Sequence, residues 1–572
     1  MTRNEVGIAA PDPAPSTSSI AFTFDGTPLT GAPTQSIAAA LVGAGIREMR
    51  RTEGGAARGV FCGMGVCQDC LVTVDGMPNR RSCMTALKDG MAVTTQPARA
   101  PLTAPPDAPL KAVRRHVDVL VLGGGAGGLS AARSAAEAGA KVLLLDERKR
   151  LGGQYYKQPA ELGRAPLDTQ QGEGRRLIEA ALATGVEVID GAEIWGAFDG
   201  LEIMAATDDA AYAIRAGAVI VATGVYERPA MIPGWTLPGV MTVGAAQTFW
   251  RSYGTLPGRR VALAGNGPLV AQVALELARG GAEIVALAEA APVPFSRPAA
   301  GLALARAQLA LAAKGAGLLA GLARRGIVVS HGTLPRRIEQ REDSLAITLE
   351  TQRSGRSSTR TVEADVFCMN FGFQPQNEIL RLLGAEMTFD ARFDQLRPSR
   401  GPTFETSVAG LYAVGDCCGI GGAPAAVLEG AIAGRAAAGG AGPSADEARR
   451  LDRHRAFQDA LWTLYAAPIP RLEDVPAEAQ VCRCEEVTKA ALDEALAVGS
   501  TDIGAVKRAT RIGMGRCQGR YCGPALAGLM ARRSGVDPQN LSFFAPRVPV
   551  KPLPIGALVA VEELLDAIEA DA

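Results

Sequence analysis

Residues 117–147, VDVLVLGGGAGGLSAARSAAEAGAKVLLLDE, constrain the fold more than any other stretch of this 572-residue chain. An apolar run enters a glycine turn, a small-residue helix follows, and a second apolar run ends on two acids. Runs without alternation are buried on both faces, and parallel strands need a crossover helix, so the stretch is a βαβ unit of a parallel sheet. Gly123-x-Gly125-x-x-Gly128 makes the turn. Gly123 bends the chain, Gly125 admits a pyrophosphate, and Gly128 lets helix and strand pack closely. Ala126 and Gly127 open the helix, whose N-terminal N–H groups attract phosphate. Asp146 closes the second strand, where a carboxylate reaches an adenosine ribose, and Glu147 beside it can share that task.

A similar unit recurs at 260–289, RVALAGNGPLVAQVALELARGGAEIVALAE. Gly265 and Gly267 open its turn, Val270 stands where a third glycine would be, and Glu289 closes its second strand. NAD, ATP or another adenine nucleotide would fit there, and so would an empty fold. Two units in one chain mean two nucleotide domains, or one inserted in the other. The expected class is therefore α/β. A first nucleotide domain runs over 116–257 and resumes at 363–440, with a second inserted at 258–362.

FAD suits the first site better than NAD. LGGQYY follows the acid and supplies Gly152, Gly153 and Gln154; VATGVYERP supplies Ala222, Thr223 and Gly224. In TSVAGLYAVGDCCG, Gly415 and Asp416 follow an apolar strand, so the Asp416 carboxylate can accept from a ribityl hydroxyl. Its plainer alternative is capping the helix that follows.

The eleven cysteines, against three histidines, are grouped. In 19–95, an α+β block, FCGMGVCQDC and a later Cys83 give C-x4-C-x2-C and a distant fourth, the plant-type ferredoxin spacing. Cys62, Cys67, Cys70 and Cys83 would converge on a two-iron core. Gly63 and Gly65 would let the loop curl and bring N–H groups to the sulfurs. In 450–545 a second group joins Cys482-x-Cys484 to Cys517-x4-Cys522, from loops at the ends of helices. A two-iron core suits this set as well. Structural zinc is the alternative for both sets, although zinc favours two separated CxxC pairs. Lys507, Arg508, Arg511 and Arg516 either screen the second cluster or form a solvated face. Cys368, Cys417 and Cys418 read as packing, although adjacent thiols near a flavin can be redox-active.

Lys plus Arg equals Asp plus Glu at 59 each, which gives no electrostatic case for nucleic acid or an anionic membrane. No apolar run approaches the roughly 18 residues of a membrane span. The first 18 residues read as a disordered tail without a secretory core, 96–115 as a Pro-rich linker, and 546–572 as a Pro-rich tail. LGGQYYKQ and 258–362 hold no cysteine, which argues against disulfide reduction. No G-x-S-x-G and no H-E-x-x-H appears, so hydrolase readings fail too.

ATGVYERPAMIPGWTLPGVMTVGAAQ (222–247), NFGFQPQNEIL (370–380), VCRCEEVT and MGRCQGRYCGPAL complete a pattern. It resembles the FAD-binding electron-transfer (alpha) subunits of hydrogen cyanide synthase, opine oxidase and hydroxyproline dehydrogenase, and more distantly sarcosine oxidase alpha chains. Residues 19–95 resemble the small ferredoxin-like (β-grasp) subunit of the same complexes, here fused. The resemblance implies FAD on Gly123, Gly125, Gly128, Asp146, Gly153, Gln154, Thr223, Gly224 and Asp416, and a [2Fe–2S] cluster on Cys482, Cys484, Cys517 and Cys522. It implies a partner beta chain, a flavoprotein like a D-amino-acid oxidase, that oxidises an amine or amino acid. Some relatives place ATP or NAD in the second nucleotide site. The expectation is a cytoplasmic electron-relay subunit that meets a membrane only through a partner. The competing expectation is an NAD(P)H-dependent flavin and iron–sulfur reductase acting alone. A redox-sensing or scaffold protein is a third class. The substrate and the terminal acceptor, a quinone or another carrier, leave no mark in the residues.

Overall fold

The computed structural model describes residues 19–101, 110–353, 355–497, 502–537, 539 and 543–570. The expected N-terminal tail lies outside the described residues, as does most of the Pro-rich stretch of the linker. The N-terminal block is a five-stranded mixed sheet, ordered Thr27–Gly31, Ile20–Phe24, Ala92–Thr95, Leu71–Val74, Met77–Arg81. Helix Ile37–Gly43 packs against it through Ile37 and Leu41, and the Ser36 hydroxyl caps its N-terminus by accepting from Ala39 N.

The first nucleotide domain is built on Lys111–Leu122, which pairs in parallel with Val142–Asp146 on one side and Ala210–Val221 on the other. The first five residues of Lys111–Leu122 fall within the expected linker. Its pairing with Ala210–Val221 extends over the first half of the strand, so tertiary hydrogen bonding wins over the local proline signal. Helix Ala126–Glu137 crosses back over the sheet and packs on helix Ala423–Ala437, small residue against small residue. Gly430 and Gly434 sit where an added Cβ would lie 2.1 and 2.2 Å from carbonyls of that partner helix.

The second domain is a five-stranded parallel sheet, ordered Val240–Thr242, Val366–Asn370, Arg260–Gly265, Glu283–Glu289, Val329–His331. It draws its first two strands from outside 258–362, because both polypeptide crossings between the domains add a strand to it. An antiparallel meander, Thr333–Gln340, Leu345–Arg353 and Arg356–Ala364, completes it.

The C-terminal cysteine block is a short hairpin, Gln480–Cys482 with Val487–Thr488, and helices Lys489–Ala497, Ile503–Thr510 and Cys522–Ser534. The remainder is not only a tail. Ile555–Ala570 is helical, and Ala557, Ala560 and Val561 are buried with Trp195, Met204 and Ala211 of the first domain. The prolines at 546–554 precede the helix and do not interrupt it, which is why composition alone misreads this stretch. One continuous core joins Phe61, Cys62 and Cys67 to Trp235 and Phe367, and on to Cys482, Cys517 and Cys522. The three blocks therefore share apolar packing.

Candidate functional site

A cavity of about 1410 Å³ opens where the first domain meets the second. Gly123, Gly125, Ala126, Gly127, Asp146, Glu147, Gly152, Gly153, Gln154, Ala222, Thr223, Gly224, Gly415 and Asp416 all line it, so the structure gathers the sequence-predicted flavin residues around one space. Gly128 lies behind them in the helix, with no room for a side chain: an added Cβ would sit 1.8 Å from the Gly123 carbonyl. Gly153, at φ +61°, faces Gly125 so closely that a Cβ would lie 2.8 Å from the Gly125 Cα. This glycine cradle leaves bare backbone at the helix N-terminus and suits a pyrophosphate. The Thr223 hydroxyl donates to the Gln376 carbonyl at 2.5 Å, joining two of the quoted segments at the cavity wall.

The acids divide their tasks. Asp146 accepts from Gly124 N at 2.6 Å and from Arg148 N at 2.7 Å, and burial pushes its carboxyl up to about 6. It braces the glycine loop and retains free lone pairs toward the cavity. Glu147 is held down at about 2, because Lys551 and Arg81 outweigh its burial. It pairs with Arg81 of the N-terminal block at 2.8 Å and with Lys551 at 2.5 Å. Its carboxylate is thus committed to joining domains, a use its place beside Asp146 does not reveal. Asp416 Oδ1 accepts from Gly421 N at 3.0 Å and Gly422 N at 2.9 Å, just ahead of helix Ala423–Ala437. The capping alternative therefore describes half of this carboxylate, and the residue lines the cavity as well.

The eight candidate cluster ligands form two sets. In the first, Cys62 meets Cys67 and Cys70 meets Cys83. Gly63 at φ +59° and Gly65 at φ +82° curl the loop. As the sequence leads one to expect, backbone N–H groups face sulfur: Met64 N and Cys67 N donate to Cys62 Sγ at 3.5 and 3.4 Å. Burial pushes the Cys62 thiol up, but hydrogen bonding with Cys67 and with backbone N–H groups brings it down to about 6. In the second set Cys482 meets Cys484 and Cys522, and Cys484 meets Cys517. Hydrogen bonds with Cys484 and Cys522 hold the Cys482 thiol at about 3. All eight are free thiols, and seven are buried. Among the described residues, no three or more His, Cys, Asp or Glu side chains converge as ligands of one ion. Each set nonetheless gathers four thiols on short loops, the kind of donor set that a two-iron core takes.

Both cysteine loops reach the flavin cavity. Met64, between Cys62 and Cys67, is part of its wall, and so is Arg520, between Cys517 and Cys522. Arg148 Nη2 donates to the Gly63 carbonyl at 2.8 Å, and the Tyr226 hydroxyl donates to the Arg520 carbonyl at 2.6 Å. Sequence reasoning missed Met64, Arg148, Tyr226 and Arg520. Only their proximity to the motifs could have drawn attention to them.

The second glycine motif is different. Gly265, Gly267 and Glu289 are absent from the cavity wall, although Pro268, Gln272 and Glu276 of the following helix belong to it. Glu289 accepts from Gly267 N at 3.0 Å, Ala291 N at 2.9 Å and Asn266 Nδ2 at 3.1 Å, and burial raises it to about 7. Asn266 also donates to the Tyr465 carbonyl at 2.8 Å, and the Trp462 ring lies over Gly267. The end of helix Ala445–Leu464 thus covers the motif.

Cys417 and Cys418 are buried free thiols with sulfurs 3.6 Å apart, and Cys417 donates to the Val414 carbonyl at 3.2 Å. Cys368 is fully buried in a core strand. All three sit as packing residues.

Comparison with known proteins places three family matches along the chain. Residues 17–98 match the 2Fe-2S iron-sulfur cluster binding domain, 117–430 the pyridine nucleotide-disulphide oxidoreductase family, and 480–532 the BFD-like [2Fe-2S] binding domain. An opine oxidase subunit from Agrobacterium tumefaciens is 32% identical over 484 residues, 79% of this chain and 93% of that protein. The chain belongs to this opine oxidase subunit family, within the pyridine nucleotide-disulphide oxidoreductases. As a member of that family it is an oxidoreductase of the flavin and iron–sulfur type. Hydrogen cyanide synthase subunit HcnB of Pseudomonas aeruginosa is 30% identical over 77% of this chain and 97% of its own. The sarcosine oxidase alpha chain of Rhizobium meliloti is 26% identical over 94% of this chain but only 57% of its own length. L-proline dehydrogenase from P. horikoshii shares the fold, with a TM-score of 0.70, 21% identity and coverage of 95% of this chain and 98% of that one. Several of these relatives are thus named as subunits. Among the described residues no helix is long and apolar enough to cross a membrane.

Proposed function

We propose that this chain is the electron-transfer subunit of an amine or amino-acid dehydrogenase complex, with FAD in the cavity and a [2Fe–2S] cluster on each cysteine set. Bound FAD would take electrons in pairs and two-iron clusters take them singly, so the set converts one kind of traffic into the other. The observation that carries this reading is the single cavity wall shared by the glycine cradle, Met64 of the first cysteine loop and Arg520 of the second. The chain's own residues hold the phosphates on bare backbone, keep water out with buried loops, and offer N–H groups to the sulfurs. Oxidation of the amine or amino acid falls to a partner flavoprotein like a D-amino-acid oxidase. The names of the relatives as oxidase and synthase subunits support the presence of a partner chain.

The reading as a self-sufficient NAD(P)H reductase is less well supported, since Trp462 and Tyr465 cover the second motif and the cavity does not reach Glu289. We assign the second nucleotide site no NAD or ATP in this conformation. Purification from the native host, with co-purifying chains identified, tests the first reading. A second flavoprotein is expected, and substrate should bleach the FAD only in its presence. Fast bleaching by NADH of the isolated chain, under anaerobic conditions, would overturn the assignment in favour of the reductase. Zinc in place of iron on both cysteine sets would overturn the cluster assignment.

A further inference from the structure

Asp69 and Arg483 form a deeply buried charged pair, and each lies inside a ligand motif. Asp69 sits between Cys67 and Cys70, and Arg483 sits between Cys482 and Cys484. Their side chains are 0% and 2% exposed, and Arg483 Nε donates to Asp69 Oδ2. Arg50 Nη2 donates to Asp69 Oδ1 at 2.5 Å, so both carboxylate oxygens are engaged. The Arg483 guanidinium lies 3.8 Å from the ring centre of Phe61, next to Cys62, and 4.7 Å from that of Trp235. Phe61 in turn meets Tyr521, next to Cys522, at 5.5 Å edge to face. Around this centre, Arg58 pairs with Glu486 at 3.2 Å and bonds Gln480 at 3.1 Å. Trp235 Nε1 donates to the Gln480 carbonyl at 2.6 Å. The N-terminal block is therefore locked against the C-terminal block through the very loops that carry the thiols.

Removing Asp69 would leave Arg483 buried without its carboxylate, and removing Arg483 would leave one Asp69 oxygen without its donor, so the contact is held rigidly. Two-iron cores on four thiolates are anionic, and two of them side by side repel. Arg483 and Arg50 share the single Asp69 carboxylate, and the net positive charge of the three groups offsets that repulsion, strongly so in a medium of low dielectric. We propose that Arg483, fixed by Asp69, is a positioning residue that makes the two cysteine sets one redox unit, exchanging electrons directly between clusters. Such an exchange would move one electron from a reduced cluster to the oxidised other. No bond forms or breaks, and no proton moves. The inference rests on the reading of both sets as [2Fe–2S] sites.

The test is electron paramagnetic resonance of the full chain, carrying iron and sulfide and fully reduced with dithionite, with iron counted in each sample. The wild type should show two clusters whose signals split each other, and the splitting should be lost in Asp69→Asn with iron content unchanged. Arg483→Lys, which keeps the charge, should retain part of it. The two midpoint potentials should spread apart in Arg483→Met relative to Arg483→Lys. Unsplit signals in the wild type, or splitting equal in wild type and Asp69→Asn, would overturn the proposal. Loss of iron from Asp69→Asn would overturn it too, by making the pair a prop for the ligand loops. Absence of iron from the wild type would instead sink the cluster reading beneath it.

Discussion

Gly128 shows how a single hydrogen atom in place of a side chain sustains the glycine turn of the proposed flavin site. Its missing Cβ would stand 1.8 Å from the Gly123 carbonyl, so Gly128→Ala must push the helix off the turn. The expected outcome is a chain that purifies without yellow colour and is destabilised by more than about 2 kcal/mol, measured by flavin absorbance and urea unfolding. Glu289 makes a different statement. Burial raises it from 4.5 to about 7, so between those values the folded state holds a proton that the unfolded state has released. Stability from this group is present below pH 4.5 and is lost as pH rises toward 7, by at most about 3 kcal/mol. Urea unfolding at the two ends of that window should show the slope in the wild type, and Glu289→Gln should flatten it. The residue types at both positions were readable from the motif. What they touch was not: Asp146 and Glu289 close equivalent strands, yet one lines the cavity and the other lies under Trp462 and Tyr465.

Among elements, the C-terminal helix Ile555–Ala570 departs most from its sequence signal. Prolines 546–554 read as a tail, and the helix after them has small residues, Ala557 and Ala560, where it meets the sheet. Small side chains give little hydrophobic periodicity, so pattern reasoning passes over a helix whose value lies in close approach. Ala557→Asp places a carboxylate against Trp195 and Met204 and should cost roughly 2–5 kcal/mol. Thermal unfolding checks the cost. Because Lys551, just before this helix, pairs with Glu147 beside the glycine loop, the same variant should also hold flavin more weakly, seen as faster release on dilution. Helix Ala445–Leu464 is the opposite case. Its start is explicit in the capping box of Ser444 and Glu447, while its function as a cover over the second motif depends on where its far end lands.

At the scale of the whole molecule, the three blocks unfold as one to the extent that they share a core. Trp235 is the keystone: it is 1% exposed, meets Phe61 edge to face at 5.6 Å, and donates to the Gln480 carbonyl. Trp235→Ala should cost about 3–5 kcal/mol and disturb the visible circular dichroism of the two proposed clusters together, although it belongs to neither cysteine set. A single thermal transition in the wild type that splits in this variant is the measurement to make. The βαβ units, the glycine cradle and the two cysteine sets were legible in the chain from the start. Each is a local pattern, where spacing along the backbone dictates spacing in space. The shared cavity wall, the Asp69–Arg483 bridge, the diversion of Glu147 to Arg81 and Lys551, and the closure of the second motif were decided by tertiary structure alone. They join residues dozens to hundreds of positions apart, and such contacts depend on how whole blocks bury their apolar faces together, which no local period encodes.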